Sequence, residues 1–232
     1  GAGTLTLFAA NTYNGGTTVS VGTLLANNTT GSATGSGTVA VSSGAILGGS
    51  GIISGATTIS INGIHTAGDA VRLANSLGTG TISKETFTTG ITYNAGSIFE
   101  WNLKGNTETS IGTRGINYDA VNTGALATTG AGAIFRVVLN AGQNFSETFW
   151  DTNRTWTDIF TNVGGTASTS IASIFGGGIE YRNASGMLTG VPSAEGSFTL
   201  SGTSLNWTAV PEPSSALAGL LLATGLLRRR RA

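Results

Sequence analysis

The sequence predicts an all-β protein. A parallel β-solenoid forms its N-terminal part, a β-rich aromatic region follows, and a short apolar helix ends the chain. Three observations carry this expectation. Apolar residues alternate with polar ones in short runs, the early runs recur at a fixed spacing, and the chain closes on a leucine-rich stretch followed by arginines.

The N-terminal runs read Thr-Thr-Val-Ser-Val at 17–21, Gly-Thr-Val-Ala-Val at 37–41 and Thr-Thr-Ile-Ser-Ile at 57–61. Val19, Val39 and Ile59 are twenty residues apart, as are Val21, Val41 and Ile61. Within each run the apolar residues sit at i and i+2, on one face of a strand. Between the runs, Gly15-Gly16, Gly35-Ser36-Gly37 and Gly48-Gly49-Ser50-Gly51 provide bends. A strand recurring at one period buries its apolar edge against the next copy, so Val19, Val39 and Ile59 are expected to stack inward about 4.8 Å apart. Val21, Val41 and Ile61 are expected to do the same. A meander of hairpins would explain the alternation but not the recurrence.

Gly3-Thr4-Leu5-Thr6-Leu7, Asn11 to Val19 and Gly22 to Asn28 resemble the autotransporter-associated β-strand repeat, and Gly37-Thr38-Val39, Gly44 to Gly49 and Gly51-Ile52-Ile53 continue it. The resemblance covers residues 1–65. It implies a right-handed parallel β-helix of the kind found in passenger domains of bacterial surface proteins. Since one repeat cannot bury its own ends, further coils are expected upstream of Gly1. The sequence opens without an export leader, which reads as a truncated or processed product.

Residues 66–79 read as a Gly-rich connection, and residues 80–209 as a second β region. All four Trp, eight of nine Phe and three of four Tyr lie beyond His65. Aromatic rings need a wider interior than Val and Ile, so a broadened solenoid or a sandwich-like cap is expected. Its clearest strands are 98–103 and 134–139, with Phe99, Trp101 and Leu103, then Phe135, Val137 and Leu139, on one face. Strands at 196–200 and 204–208 follow. Tyr93 to Trp101 and Tyr118-Asp119-Ala120-Val121 resemble the C-terminal region of repeat-bearing PEP-CTERM proteins, a likeness that implies no activity.

The tail, residues 210–232, has three parts. Pro211, Glu212 and Pro213 hold the backbone extended. Ala216, Leu217, Leu220, Leu221, Leu222, Leu226 and Leu227 lie in an uncharged helix-forming stretch. Its length, about 1.5 Å per residue, falls short of a full bilayer core. Arg228, Arg229, Arg230 and Arg231 form a basic stop favoured at the cytoplasmic face. The arrangement resembles the PEP-CTERM sorting signal. That resemblance implies an exported protein held transiently in the inner membrane, cut by an exosortase, and then placed at the cell surface or outside the cell beside exopolysaccharide.

Composition narrows the chemistry. The chain has 37 Gly, one His, one Met and no Cys, and charged residues make up 9% of it. Disulfides and thiolate chemistry are therefore excluded. The tail holds four of the eleven basic and one of the eleven acidic residues, which leaves residues 1–210 with seven against ten and a net charge of −3. Such a body offers no basic patch to nucleic acid.

His65 and Asp69 are four residues apart, but Thr-Ala-Gly between them reads as a turn, so a loop histidine is favoured over a metal site. Glu100, Asp119, Asp151, Asp158 and Glu180 are the acids that glycoside chemistry would require in pairs. No motif joins them, and solvated faces account for them better. Trp150 and Trp156 fit buried cap aromatics better than a sugar-stacking platform. Gly176-Gly177-Gly178 lacks the Lys-Ser/Thr of a phosphate loop. No cofactor or metal is expected. The function read from the sequence is that of an exported, non-catalytic surface or extracellular-matrix protein. The alternative is an exported carbohydrate-active enzyme (a polysaccharide lyase or glycoside hydrolase) or a glycan-binding adhesin.

Overall fold

The computed structural model of the chain describes residues 1–68, 81–107, 112–130, 132–139, 145–163, 170–182, 188–189 and 194–210. The tail elements Pro211 to Arg231, Asp69 and most of the 66–79 connection lie outside the described residues. Within them the chain winds as a parallel solenoid. After β1 (Thr4–Leu7) come β2 (Thr17–Val19) and β3 (Thr23–Ala26), then β4 (Val39–Val41), β5 (Ile46–Gly49) and β6 (Ile52–Ile53). The next turn is β7 (Thr57–Ile59), β8 (Ile64–Ala67) and β9 (Lys84–Phe87), followed by β10 (Ile91–Asn94), β11 (Ile98–Leu103) and β12 (Ala120–Thr123). Then come β13 (Leu126–Thr129), β14 (Ile134–Leu139), a 3-10 turn at Thr148–Asp151, β15 (Arg154–Trp156) and β16 (Phe160–Asn162). Helix α1 (Ile171–Ile174), β17 (Ile179–Arg182), β18 (Leu188–Thr189), β19 (Gly196–Ser201) and β20 (Ser204–Ala209) complete it.

Three walls result. The first runs β1-β3-β5-β8-β11-β14-β17-β18, the second β2-β4-β7-β10-β13 and the third β6-β9-β12-β16. Their pairings are parallel except for β17 with β18. A fourth sheet, β15-β20-β19, is antiparallel and closes the C-terminal part. The second β region is thus both a broadened solenoid and a cap. The described strands on either side of residues 69–80 belong to the same walls, because β8 pairs with β11 and β7 with β10. Thr66 and Ala67, expected in the connection, belong to β8.

The inward ladder differs from the expected one by two residues. Val19 faces Val41, 22 residues on, and Val41 faces Ile59, 18 residues on. Ile59 then faces Tyr93, 34 residues on. Val39 instead stands between Thr17 and Thr57. A slip of two residues preserves which face is buried, so alternation cannot detect it. Coil length decides the register, and the coils are unequal. Val21 and Ile61 are not in a ladder at all: they lie past the strand ends and are 56% and 59% exposed.

Close stacking sets the glycines. Gly49, at φ +126°, has its α-carbon against the Ala26 carbonyl of the preceding coil, where a Cβ would collide with backbone.

Coil length also explains the change in core. The short early coils enclose Val, Ile, Leu and Ala, whereas Arg136 and Glu180, partners on β14 and β17, are 44 residues apart. The longer circuit encloses Phe99, Trp101, Leu103, Phe135, Val137 and Leu139, all at 0–2% exposure. One continuous apolar cluster runs from Val19 to Trp207. On the opposite face of the first wall, Ile46, Ile64, Ile98 and Ile134 stack into a smaller one.

Candidate functional site

His65 is not a turn residue. It sits inward on β8 with no exposed surface, because alternation places it in the same rank as Leu47 and Phe99. Its Nδ1 lies 2.5 Å from the Tyr93 hydroxyl and its Nε2 lies 3.0 Å from Glu85 Oε2. The ring packs between Phe87, edge-on at 5.2 Å, and Phe99, stacked at 5.3 Å. Glu85 and Tyr93 are also fully buried. Each of the three walls therefore contributes one polar group to a single line across the interior: His65 from β8, Glu85 from β9 and Tyr93 from β10. Burial holds the imidazole down to about 3, so it is neutral. Burial, helped by the nearby Asp119 charge, pushes the Glu85 carboxyl well up.

Asp119 lies beside this line, fully buried at the entry to β12. Its Oδ2 accepts from the Asn102 backbone N–H at 3.0 Å and from Asn102 Nδ2 at 2.6 Å, and its Oδ1 accepts from the Ser83 N–H at 3.2 Å. Asn102 Nδ2 also reaches Thr66 Oγ1 at 2.9 Å. Burial raises the Asp119 carboxyl well above its ordinary range, against the pull of these donors.

The expectation of solvated acids fails for two of the five. Asp119 is enclosed, and Glu100, 7% exposed, stands in cross-strand register with Arg136 and through it Glu180. Arg136 donates from Nε and Nη2 to Glu180 Oε2 at 2.9 and 2.7 Å, and its Nη1 lies 3.6 Å from Glu100 Oε2. The guanidinium thus ties three strands of the first wall and occupies the space between the two carboxylates. Asp151 is exposed on the 3-10 turn, and Asp158 takes φ +57° at the corner before β16. Trp150 and Trp156 are buried at 1% and 0%, as expected for cap aromatics. Among the described residues, no group of three or more His, Cys, Asp or Glu is placed to hold a metal ion.

Glu85 and Tyr93 escape a reading by motif because nothing around them forms one. The available signal was the alternation Glu85-Phe87, which puts a carboxylate in the rank of a core aromatic. Among the described residues, no helix is long and apolar enough to cross a membrane.

These features define a class: a parallel β-solenoid built from stacked coils, with a short line of polar groups buried across its interior. More particularly, the family model described as Passenger-associated-transport-repeat matches residues 1–26, which bears out the repeat reading at β1 to β3. Such a repeat suggests an exported or surface protein. A comparison with curated proteins gives no match.

Proposed function

We propose that the chain is an exported, non-catalytic surface or extracellular-matrix protein. Its solenoid serves as a body, and its tail as a sorting signal read by an exosortase. The observation that carries the reading is the three-part tail joined to a passenger-like repeat solenoid. In this reading Pro211-Glu212-Pro213 is the recognition element, Ala216 to Leu227 the inner-membrane hold, and Arg228 to Arg231 the orientation lock. The acids support a structural role, since the buried Glu100 and the half-exposed Glu180 are bridged by Arg136, and the buried Asp119 is bound by backbone and Asn102 donors.

Each part of the tail rests on a different force, so the parts separate by experiment. Changing Pro211 and Pro213 to Ala leaves the apolar stretch intact and should give a membrane-bound, uncut protein. Replacing the four arginines by Ser removes about 1 kcal/mol of surface attraction per charge, and unprocessed protein should escape. Mass spectrometry of the C-terminal peptide, in a host with the matching exosortase, decides the matter: mature protein still ending at Ala232 would show the segment to be only an anchor.

The body should release no reducing ends or unsaturated sugars from a panel of acidic and neutral glycans. Turnover abolished by changing any of Glu100, Asp119, Asp151 or Asp158 would replace this reading with the carbohydrate-active one.

A further inference from the structure

The line His65–Glu85–Tyr93 lies where the narrow coils give way to the wide ones. It joins all three walls, whereas the neighbouring Asn102–Asp119 contact links only the first and third. Two hydrogen-bond directions are open to it. In one, the protonated Glu85 carboxyl donates to His65 Nε2, and Nδ1–H donates to the Tyr93 oxygen. In the other, the Tyr93 hydroxyl donates to Nδ1, and Nε2–H donates to an ionised Glu85. The second Glu85 oxygen separates them, for Oε1 is buried and has no hydrogen-bond partner. In the first arrangement a neutral carbonyl oxygen and the Tyr93 hydroxyl hydrogen go without a partner in the core, each a modest cost because neither is charged. Half of an ionised carboxylate left alone there is a large one. Asp119 shows the contrast, with three N–H donors around its carboxyl. Glu85 has the imidazole alone.

We propose that His65, Glu85 and Tyr93 form a one-proton latch across the three walls, firm while Glu85 is protonated and weakened when it ionises and leaves half a charge unpaired in the core, so that the middle of the solenoid loosens in alkaline surroundings. On ionisation, the Glu85 proton passes to Nε2, the Nδ1 proton is lost to water, and Nδ1 then accepts from the Tyr93 hydroxyl. The groups facing the latch are few. Phe87 and Phe99 flank the imidazole, while Phe99, Phe160 and Phe175 pack on Tyr93. Lys84, next to Glu85 on β9, points outward and is exposed. Asp119 is the charge that bears on Glu85, Glu100 bears in turn on Asp119, and Tyr118 packs against Trp101. No cation faces Glu85 among these groups to favour its ionised form.

The sign follows from proton counting. Glu85 is raised in the folded chain, so above the ordinary carboxyl value of 4.5 the folded state keeps a proton that the unfolded state has released. The Glu85 contribution to stability therefore falls as pH climbs from there, opposed by His65 below 6.5 and unopposed above it. His65 is lowered, so below 6.5 the unfolded state takes a proton the folded one refuses, and stability falls on the acid side too. The optimum is mildly acidic. Asp119, also raised, adds to the alkaline limb as a coupled partner.

The chain holds a single histidine, so its ring 15N resonances report on this site alone. In the full chain, Nε2 should be bare and Nδ1 protonated at mildly acidic pH, and the proton should shift to Nε2 as pH rises. Thermal unfolding followed by circular dichroism should show Tm falling with pH. Glu85→Gln, whose amide donates to Nε2 at every pH, should remove about 3–5 °C per pH unit of that slope and keep the Nδ1–H tautomer throughout. A proton on Nε2 at all pH values, or equal Tm slopes for wild type and Glu85→Gln, would overturn the latch. If the variant does not fold, the wild-type ring resonances decide by themselves.

Discussion

Val41→Asp is expected to unfold the first coils. Val41 has no exposed surface and stands between Val19 and Ile59 in the inward ladder. A carboxylate there has no partner on either coil, and leaving a charge uncompensated in a core costs about 3–5 kcal/mol. Stabilities of domains are about 5–15 kcal/mol, so this is a large part of the whole. Ala40→Asp is the control: it is one residue away on the same strand, but outward and exposed, and should change stability by less than about 0.5 kcal/mol. Urea unfolding compares the two. The deficit of Val41→Asp should shrink at acid pH, where the new side chain is protonated. Equal midpoints for the two variants would show that residue 41 does not face the interior.

Trp207→Ala should detach the cap. Trp207 stacks on Phe145 at 4.8 Å and meets Trp150 at 5.2 Å and Phe198 at 5.0 Å, while its Nε1–H donates to the Trp150 carbonyl at 2.8 Å. Emptying such a site costs about 3–5 kcal/mol, and a buried carbonyl loses its donor. Hydrogen exchange should accelerate first in β15, β19 and β20, with β2 to β10 still protected. Trp207→Phe should recover most of the protection. Uniform loss across the chain would mean that the cap and coils unfold as one unit.

Alternation was sufficient to find β2, β4, β7, β11, β14, β19 and β20, because a half-buried pleat repeats every two residues whatever it packs against, while the shorter strands between them passed unread. The strands at 98–103 and 134–139 have the bounds expected. Register was not legible. It depends on how much chain each corner consumes, and glycine-rich corners of different length read alike. His65 was misplaced for a related reason: Thr-Ala-Gly after it resembles a turn, yet the strand runs on to Ala67 because β5 and β11 supply ladder partners on both sides. The polar line itself was invisible because its members come from three coil segments, and Glu85 and Tyr93 lie 20 and 28 residues from His65. Burial of Glu100 was missed because its shield, Arg136, belongs to the next coil.

The two ends of the solenoid are unlike. At one, β1 and β2 are the last strands of their sheets, Leu5 and Phe8 are 60% and 74% exposed, and residues 1–68 contain no Asp, Glu, Lys or Arg to repel a neighbour. At the other, antiparallel strands and tryptophans cover the core. The coils of residues 1–68 are thus held to one another by backbone ladders and packing, with no ion pair among themselves. Added salt should therefore leave their stability nearly unchanged, whereas the Arg136–Glu180 pair of the later coils is open to screening.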